Sequence, residues 1–292
     1  MSATSPSPQS PQPPQPTPST NSAPLLSVHG ITVRFAGLTA LSDVSFDALP
    51  GELFAIIGPN GAGKTSLFNV LSRVYRPVAG QVSFEGRDLL RLRTDQIASV
   101  GIGRTFQNLG QFPHTTVLDY LLLGRHSRMR SGVLLGGIYL GPARAEEREN
   151  RDYCQRLMAL LGLERYRDHP LGSLPFGLQK RADLARALAP RPRLLLLDEP
   201  VAGMSLEESQ DLAAVLLDIK EQLGITQILV EHDMAMVMGI ADRVLVLDFG
   251  RAIAEGVPAD IQANPEVIKA YLGEEIADKP PAAGEVGVET NG

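Results

Sequence analysis

The sequence predicts an α/β protein in which most strands form a parallel sheet. Four short runs are almost wholly apolar, which is typical of strands buried on both faces of a sheet. They lie at residues 53–57, 194–197, 227–230 and 244–247. Helical patterns fall between these runs, at residues 64–73, 179–188 and 206–223. Because helices that alternate with buried strands usually connect parallel neighbours, we expect a mostly parallel sheet with helices on its faces.

Two further sections extend this predicted core. Between residues 28 and 46, apolar residues such as Val28, Ile31 and Val33 are separated by polar residues and glycines, which indicates short antiparallel strands. From about residue 115 to residue 175 the patterns are helical, with a glycine-rich break at 132–141. The prediction is therefore an antiparallel β subdomain near the start of the chain and an inserted α-helical subdomain at about 115–175.

The two ends of the chain have compositions that do not favour a packed core. Residues 1–24 contain no charged residue and consist largely of Ser, Pro, Thr and Gln, and repeated proline favours extended, solvated backbone. Residues 274–292 contain five acidic residues and one lysine. We expect a disordered leader at 1–24, a structured domain at 25–273 and a disordered acidic tail at 274–292.

The overall composition excludes several classes of protein. Of the 292 residues, 43% are hydrophobic and 21% are charged, which is ordinary for a globular chain with a sizeable core. No stretch of about 20 residues is apolar enough for a membrane span, and a single cysteine cannot form an intramolecular disulfide. The net charge of −6 argues against nucleic acid as a partner.

Residues 58–65 form the motif that most strongly indicates a chemical function. Gly58-Pro-Asn-Gly-Ala-Gly-Lys-Thr65 matches the GxxxxGK[ST] spacing of a phosphate-binding loop, and it lies between an apolar strand and a helix. The glycines let backbone amides approach phosphate oxygens, and the helix N-terminus stabilises their negative charge. Lys64 can reach the β- and γ-phosphates, and the Thr65 hydroxyl can bind Mg²⁺. The sequence therefore predicts that the parallel sheet is a P-loop NTPase core.

Two carboxylates follow the second apolar run. Asp198 and Glu199 come directly after four leucines, so we expect them at the carboxyl end of a sheet strand, where open α/β sheets bind ligands. We interpret Asp198 as the group that holds Mg²⁺ through water. We interpret Glu199 as the base that orients and deprotonates the attacking water.

These motifs, in this order and at these spacings, resemble those of the ATPase subunits of ABC transporters. The resemblance covers nearly all of residues 25–273. Gly58–Thr65 looks like Walker A, Leu194–Glu199 looks like Walker B with its glutamate, and Leu174–Gln179 occupies the signature position just before a helix. Gln107 then falls at the Q-loop of this family.

The resemblance implies a role for each of the motif residues. The expected catalytic residues are Glu199, His232 as the switch histidine, and Gln107. The expected Mg²⁺ ligands are Thr65, Gln107 and Asp198. The expected ATP-binding residues are Phe35, whose ring would stack on adenine, and Gly58, Pro59, Asn60, Gly61, Ala62, Gly63, Lys64, Thr65, Ser66 and Asp198. In trans, ATP would be bound by Phe176, Gly177, Leu178 and Gln179.

The resemblance also implies a set of partners. Members of this family form a head-to-tail sandwich of two cassettes that buries two ATP molecules, and its closing and opening drives membrane subunits between two orientations. The expected partners are a second ABC ATPase subunit, either a related cassette or a second copy, and two membrane permease subunits. An extracytoplasmic solute-binding protein would take part indirectly. The expected location is the cytoplasmic face of the inner membrane, as a peripheral subunit.

Several segments resemble more narrowly the LivG-type subunits of branched-chain amino acid importers. They are residues 101–108, 230–234, 237–243 and 264–273, together with an insertion at 128–150. The alternatives at this level are the ATPases of urea or amide importers and of lipopolysaccharide-export systems. A soluble ABC ATPase that acts outside transport, or a regulator that binds nucleotide without hydrolysing it, fits the sequence less well.

The signature segment departs from the family pattern. Pro175 stands where the family usually has Ser, Phe176 where it has Gly, and Leu178 where it has Gln, and Ser205 replaces a common Asp in the D-loop. Proline has neither a hydroxyl nor an N–H group, so Pro175 cannot make the contacts of Ser with the partner's γ-phosphate. We therefore expect the ATP site that faces this signature to be weaker than the site formed by the chain's own P-loop.

Overall fold

The computed structural model describes residues 23–105, 112–125 and 142–277. Within these residues the strands are β1 Leu26–Phe35, β2 Leu38–Ala48, β3 Leu53–Ile57, β4 Ala79–Phe84, β5 Arg87–Asp88, β6 Ile102–Arg104, β7 Leu194–Asp198, β8 Thr226–Val230, β9 Arg243–Asp248 and β10 Arg251–Gly256. The α-helices of the same residues are α1 Lys64–Leu71, α2 Val117–Arg125, α3 Pro142–Leu160, α4 Phe176–Leu188, α5 Leu206–Leu223, α6 Met234–Ile240, α7 Pro258–Ala263 and α8 Pro265–Ala277.

A six-stranded sheet in the order β10-β9-β3-β8-β7-β6 forms the core of the molecule. Strand β3 pairs in parallel with both β8 and β9, and β7 pairs in parallel with β8 and β6. Among the strands that the structure describes in this sheet, β10 alone is antiparallel to its neighbour. Because the carboxyl ends of parallel strands meet at one edge, the loops that follow β3, β7 and β8 lie side by side.

Both faces of this sheet are buried, which explains the apolar runs. Leu53, Ala55 and Ile57 of β3 point towards the helices on one face, and Phe54 and Ile56 point towards the other face. All five residues of β3 are fully buried, as are the four leucines of β7. The prediction of parallel strands buried on both sides is confirmed.

A second sheet covers the face that carries Phe54 and Ile56. It contains β2, β1, β4 and β5 in that order, and all of its pairs are antiparallel. Alternate residues of β1, namely Leu26 and Val28, join the core that also holds Phe54 and the apolar side of α1. The predicted antiparallel section is confirmed.

The helical section packs beside the edge strand β6. Helix α2 lies against α4, where Gly124 meets the carbonyl oxygen of Arg186 so closely that a Cβ atom would stand 2.5 Å from it. A network of buried polar groups joins the two helices, because the hydroxyl of Tyr120 donates to Asp183 at 2.9 Å and Arg186 donates to the same oxygen at 2.9 Å. Within the described residues, no helix has the length and apolarity needed to cross a membrane.

The structure differs from the sequence prediction in three elements. The edge strands β6 and β10 were not predicted, because neither contains a continuous apolar run. The last helix, α8, continues to Ala277, four residues into the segment expected to be disordered from 274, because Glu, Ile and Ala favour helix and the first proline stands at 280. Residues 1–22 of the leader, residues 278–292, Gln107 and residues 128–141 of the insertion lie outside the described residues.

Candidate functional site

The loop after β3 has the geometry of a phosphate-binding loop. Gly58, Gly61 and Gly63 all have positive φ angles, and helix α1 starts at Lys64 directly after Gly63. The Lys64 ammonium group is buried and donates to the carbonyl oxygens of Gly58 at 2.5 Å and Pro59 at 2.9 Å. The lysine side chain therefore spans the loop from inside and lies beside the N-terminus of α1, a kind of position that favours an anion.

The turn between β9 and β10 packs directly on this loop. The amide of Gly250 donates to the carbonyl oxygen of Ala62 at 3.0 Å, and Gly58 contacts the carbonyl oxygen of Leu247. A Cβ atom on Gly63 would stand 2.7 Å from the carbonyl oxygen of Ala40 in β2. Glycine is required at these loop positions because backbone from two other elements fills the space.

Asp198, at the end of β7, is 2% exposed and forms an ion pair with Arg104 of β6 at 3.2 Å. The same guanidinium donates to Ser72 at 2.8 Å and to Asn69 at 3.2 Å, both at or beside the end of α1. Burial raises the pKa of the Asp198 carboxyl, and the charge of Arg104 opposes that shift. Arg104 thus joins the carboxylate of one strand to the helix that begins at the phosphate loop.

Glu199 and His232 follow the neighbouring strands β7 and β8. Glu199 is half-buried, has φ at +48°, and its amide donates to the carbonyl oxygen of Val230 at 2.9 Å. The side chain of His232 is exposed, and the His232 amide donates to the Glu231 carboxylate at 3.1 Å. Glu231 is fully buried and also accepts from the amide of Val201 at 3.0 Å, and burial raises the pKa of Glu231. One carboxylate therefore ties the backbone after β8 to the backbone after β7.

A cavity of about 480 Å³ opens over the phosphate loop. Its lining residues are Phe35, Leu38, Thr39, Ala40, Asn60, Gly61, Ala62, Gly63, Lys64, Thr65, Ser66, Glu199 and Phe249. Phe35 is 42% exposed, and its ring meets the ring of Tyr75 edge-on at 5.0 Å. The structure thus brings Phe35, the residues 60–66 and Glu199 to one cavity, which is large enough for a nucleotide.

The signature residues lie apart from this cavity. Phe176, Gly177, Leu178 and Gln179 form the first turn of α4, and none of them is among the described residues that line the cavity. Gly177 packs against the carboxylate of Glu208, and Gln179 donates through its side chain to the carbonyl oxygen of Leu174 at 2.8 Å. Pro175 is the N-cap residue of α4, and no side chain caps this helix end.

The oxygen groups near the loop fit a magnesium ion. One carboxylate oxygen of Asp198, Oδ1, is buried and has no hydrogen-bond partner among the described residues. Thr65 lines the cavity, at the start of α1. Carboxylate and hydroxyl oxygens are ligands that Mg²⁺ prefers, so Thr65 and Asp198 would hold the ion, and it would neutralise phosphate charge there.

Three residues that the structure brings to the site were not predicted from the sequence. Arg104 lies in the segment 101–108 and Glu231 stands beside His232, but neither has a spacing that reveals its partner. Phe249 lines the cavity although it lies 185 positions after Lys64 and 50 after Glu199 in the chain. Only the pairing of β9 with β3 brings it close, and single residues of this kind have no local pattern.

Comparison with known protein families decides the assignment. Residues 41–202 match the family model described as "ABC transporter", and residues 253–277 match the model described as "Branched-chain amino acid ATP-binding cassette transporter". The chain belongs to the ABC transporter family. Cassettes of this family bind nucleotide and hydrolyse ATP, and the chain is therefore an ABC ATPase.

Two curated relatives match this ABC ATPase over nearly their whole length. The high-affinity branched-chain amino acid transport ATP-binding protein BraF of Pseudomonas aeruginosa is 39% identical over 254 residues, which cover 87% of this chain and 99% of BraF. The protein LivG of Escherichia coli, which has the same descriptive name, is 38% identical over 253 residues, with 87% and 99% covered.

Solved structures of ABC cassettes share the fold. The ADP conformation of MJ1267, an ATP-binding cassette of an ABC transporter, superposes with a TM-score of 0.75 at 28% identity, and the match covers 87% of this chain and 100% of that one. A nucleotide-free cassette superposes with a TM-score of 0.74 at 29% identity, covering 85% and 99%. The predicted P-loop NTPase core with a β subdomain and a helical subdomain is confirmed at the level of fold.

Proposed function

We propose that this ABC ATPase powers an importer of branched-chain amino acids. The observation that carries the proposal is the match of residues 253–277 to a C-terminal model specific to branched-chain amino acid cassettes. The nearly full-length similarity to BraF and LivG supports it. The C-terminal segment lies in β10, α7 and α8, outside the motifs that all ABC cassettes need, so its match carries information about the subfamily.

In this proposal ATP binds in the cavity over the phosphate loop. Residues 58–66 and Lys64 in particular hold the phosphates, and Phe35 stacks on the base. Glu199 is the general base that activates water, and His232 and Gln107 act at the γ-phosphate. Thr65, Asp198 and Gln107 are the proposed ligands of Mg²⁺, which supplies charge neutralisation at the phosphates.

The proposed assembly contains two cassettes and two membrane permease subunits. Residues 176–179 would contact ATP held by the partner cassette, which agrees with their distance from the chain's own cavity. The N-terminus of α4 has free amides and the positive end of a helix dipole, both of which attract a phosphate group. A cassette of 25% identity, MJ0796, is described as dimeric, and this supports the arrangement. The proposed location is the cytoplasmic face of the inner membrane, and a solute-binding protein would deliver the substrate.

A transport assay tests the proposal. The chain is co-expressed with its permease subunits and second cassette and reconstituted into proteoliposomes. Uptake of labelled leucine, isoleucine and valine is measured with the solute-binding protein outside the vesicles and ATP inside, on the side of the cassettes. We expect ATP-dependent uptake that Lys64→Ala abolishes. Uptake of urea, or ATP-driven export of lipopolysaccharide, by the same assembly would identify one of the alternatives instead.

A further inference from the structure

The turn between β9 and β10 holds the most exposed large apolar side chain in the described part of the chain. Phe249 is 88% exposed. Its φ angle is +42°, a region that bulky residues rarely adopt because the side chain crowds the backbone. An aromatic ring that is both strained and surrounded by water costs stability, so the packing of the fold does not explain it.

The backbone around Phe249 is fixed against the phosphate loop. The amide of Gly250 donates to Ala62, and the carbonyl oxygen of Gly250 accepts from the amide of Ser42 at 2.8 Å. A Cβ atom at Gly250 would stand 2.5 Å from the carbonyl oxygen of Ala40. Because the turn is held from both sides, the position of the Phe249 side chain relative to the phosphate loop is set by the fold.

Phe249 shares the cavity over the phosphate loop with two other exposed apolar side chains, Phe35 and Leu38. These three are among only twelve large apolar side chains that are exposed in the described residues. Lys64 and Glu199 line the same cavity and mark the end where phosphates are held. A nucleotide whose phosphates lie there must place its largest apolar part, the nucleoside, along the remaining wall.

We propose that Phe249 contacts the nucleoside of ATP that is bound to the chain's own phosphate loop. The inference rests on the proposed function, in that the cavity is taken to bind ATP, and it adds a nucleotide-binding residue that lies far from Walker A in sequence. The ring supplies apolar surface to the base or ribose on the side of the cavity formed by β9 and β10. Its strained backbone conformation is retained because that conformation directs the ring over the cavity.

The proposal is tested by isothermal titration calorimetry on the full chain, which compares the affinities for a ligand with a nucleoside and a ligand without one. ADP carries the nucleoside, whereas inorganic tripolyphosphate carries phosphates alone. Phe249→Asn is the informative variant, because asparagine tolerates positive φ and so removes the ring without adding strain. Since stacking of a base on an aromatic ring contributes about 1–3 kcal/mol, we expect ADP to bind about five- to 150-fold more weakly. Tripolyphosphate should bind within about twofold of wild type.

Two control variants complete the experiment. Phe249→Tyr keeps a ring at the site and should restore ADP affinity. Val78→Asn removes an exposed apolar side chain outside the cavity and should leave both affinities unchanged. Unchanged ADP affinity in Phe249→Asn would overturn the inference and leave the proposed function intact, as would an equal loss for ADP and tripolyphosphate, which would mean that the residue only supports the loop. A wild-type chain that bound no ADP would overturn the proposed function and this inference together.

Discussion

Arg104 shows how a single residue connects the phosphate loop with the strand that carries Asp198. Its guanidinium contacts Asp198, Ser72 and Asn69 at once, and its carbonyl oxygen accepts from Arg186 of α4 at 3.0 Å. The residue is therefore linked to β7, to α1 and to the helix that begins at the signature. In the sequence it also lies three positions before Gln107.

Replacing Arg104 by methionine should destabilise the fold by about 3 kcal/mol, because it leaves the charge of Asp198 buried without its partner. Chemical denaturation gives the free energy of unfolding. A double-mutant cycle then measures the same replacement in an Asp198→Asn background, in which the buried carboxylate charge is absent. We expect Arg104→Met to cost much less in that background, and equal costs in both backgrounds would show that the ion pair is not the cause.

Replacing Glu199 by glutamine should separate hydrolysis from binding. The amide has nearly the same shape but cannot accept a proton, so we expect ATPase turnover to fall by about 10²-fold or more. The affinity for ADP should stay close to that of the wild type, since the backbone contacts of Glu199 with Val230 are retained. A variant that hydrolyses ATP at the wild-type rate would exclude Glu199 as the base.

At the level of elements, the start of α4 lacks the side-chain cap that α5 and α6 have. Ser205 at the start of α5 accepts from the amide of Glu208 at 3.2 Å, and Glu208 accepts from the amide of Ser205 at 2.9 Å. Pro175 offers no such group, although its φ of −51° and ψ of 150° are compatible with a capping residue. The N-terminus of α4 therefore lacks the stabilising side-chain hydrogen bonds that the N-terminus of α5 has.

Replacing Pro175 by serine should stabilise the fold by about 1 kcal/mol through a new helix cap, and it should raise ATPase turnover in the assembled transporter because the hydroxyl can contact the partner's phosphate. Val257→Ser is a matched control, since Val257 is also an uncapped N-cap residue, at the start of α7. We expect it to stabilise the fold without raising turnover. Unchanged or lower turnover in Pro175→Ser would contradict the expected weakness of this site.

The β9–β10 turn gives a second prediction at this scale. Gly250→Ala adds a Cβ that meets backbone, whereas Gly224→Ala adds one at a similar positive φ where nothing lies within 4 Å. Both variants carry the strain of about 1 kcal/mol for a left-handed residue, but only Gly250→Ala must also displace β2. We expect a clearly larger fall in melting temperature for Gly250→Ala, together with weaker binding of both ADP and tripolyphosphate. Equal falls for the two variants would show that the turn has room to move.

The sequence allowed most of the sheet to be predicted, and the reasons for success and failure are physical. Strands β3, β7, β8 and β9 were recognisable because burial on two faces demands consecutive apolar residues, and the phosphate loop because its glycines and lysine are adjacent in sequence. The edge strand β6 and the cavity wall at Phe249 were not recognisable. Their environments come from contacts between segments far apart in the chain, and such contacts impose no local periodicity.

For the whole molecule, buried carboxyls should make stability depend on pH. Burial raises the pKa of Glu231 above its ordinary value of 4.5, so the folded state binds this proton more tightly than the unfolded state. The contribution to stability is then greatest below pH 4.5 and is lost as the pH rises through the raised pKa of the folded state.

Glu231→Gln removes this titration and tests the sign. Denaturation at a series of pH values should show that the free energy of unfolding of the wild type, measured relative to the variant, decreases as the pH rises from 4.5 through that window. The variant also loses one acceptor, for Val201 or His232, which shifts its stability by a constant amount and leaves the slope unaffected. A difference between the two proteins that increases with pH would contradict the assignment.

The position of β3 between β8 and β9 has a consequence for synthesis on the ribosome. The strand that carries Walker A emerges early, but both of its neighbours are made from residues 226–248, and the glycine that supports the loop is residue 250. A nascent chain therefore carries the complete ATP-binding motif while residues 66–250 are still being made, without the neighbouring strands that hold the loop in shape. We expect the polypeptide to become able to bind nucleotide only after residue 250 has been made, by which point Asp198, Glu199 and His232 are present as well.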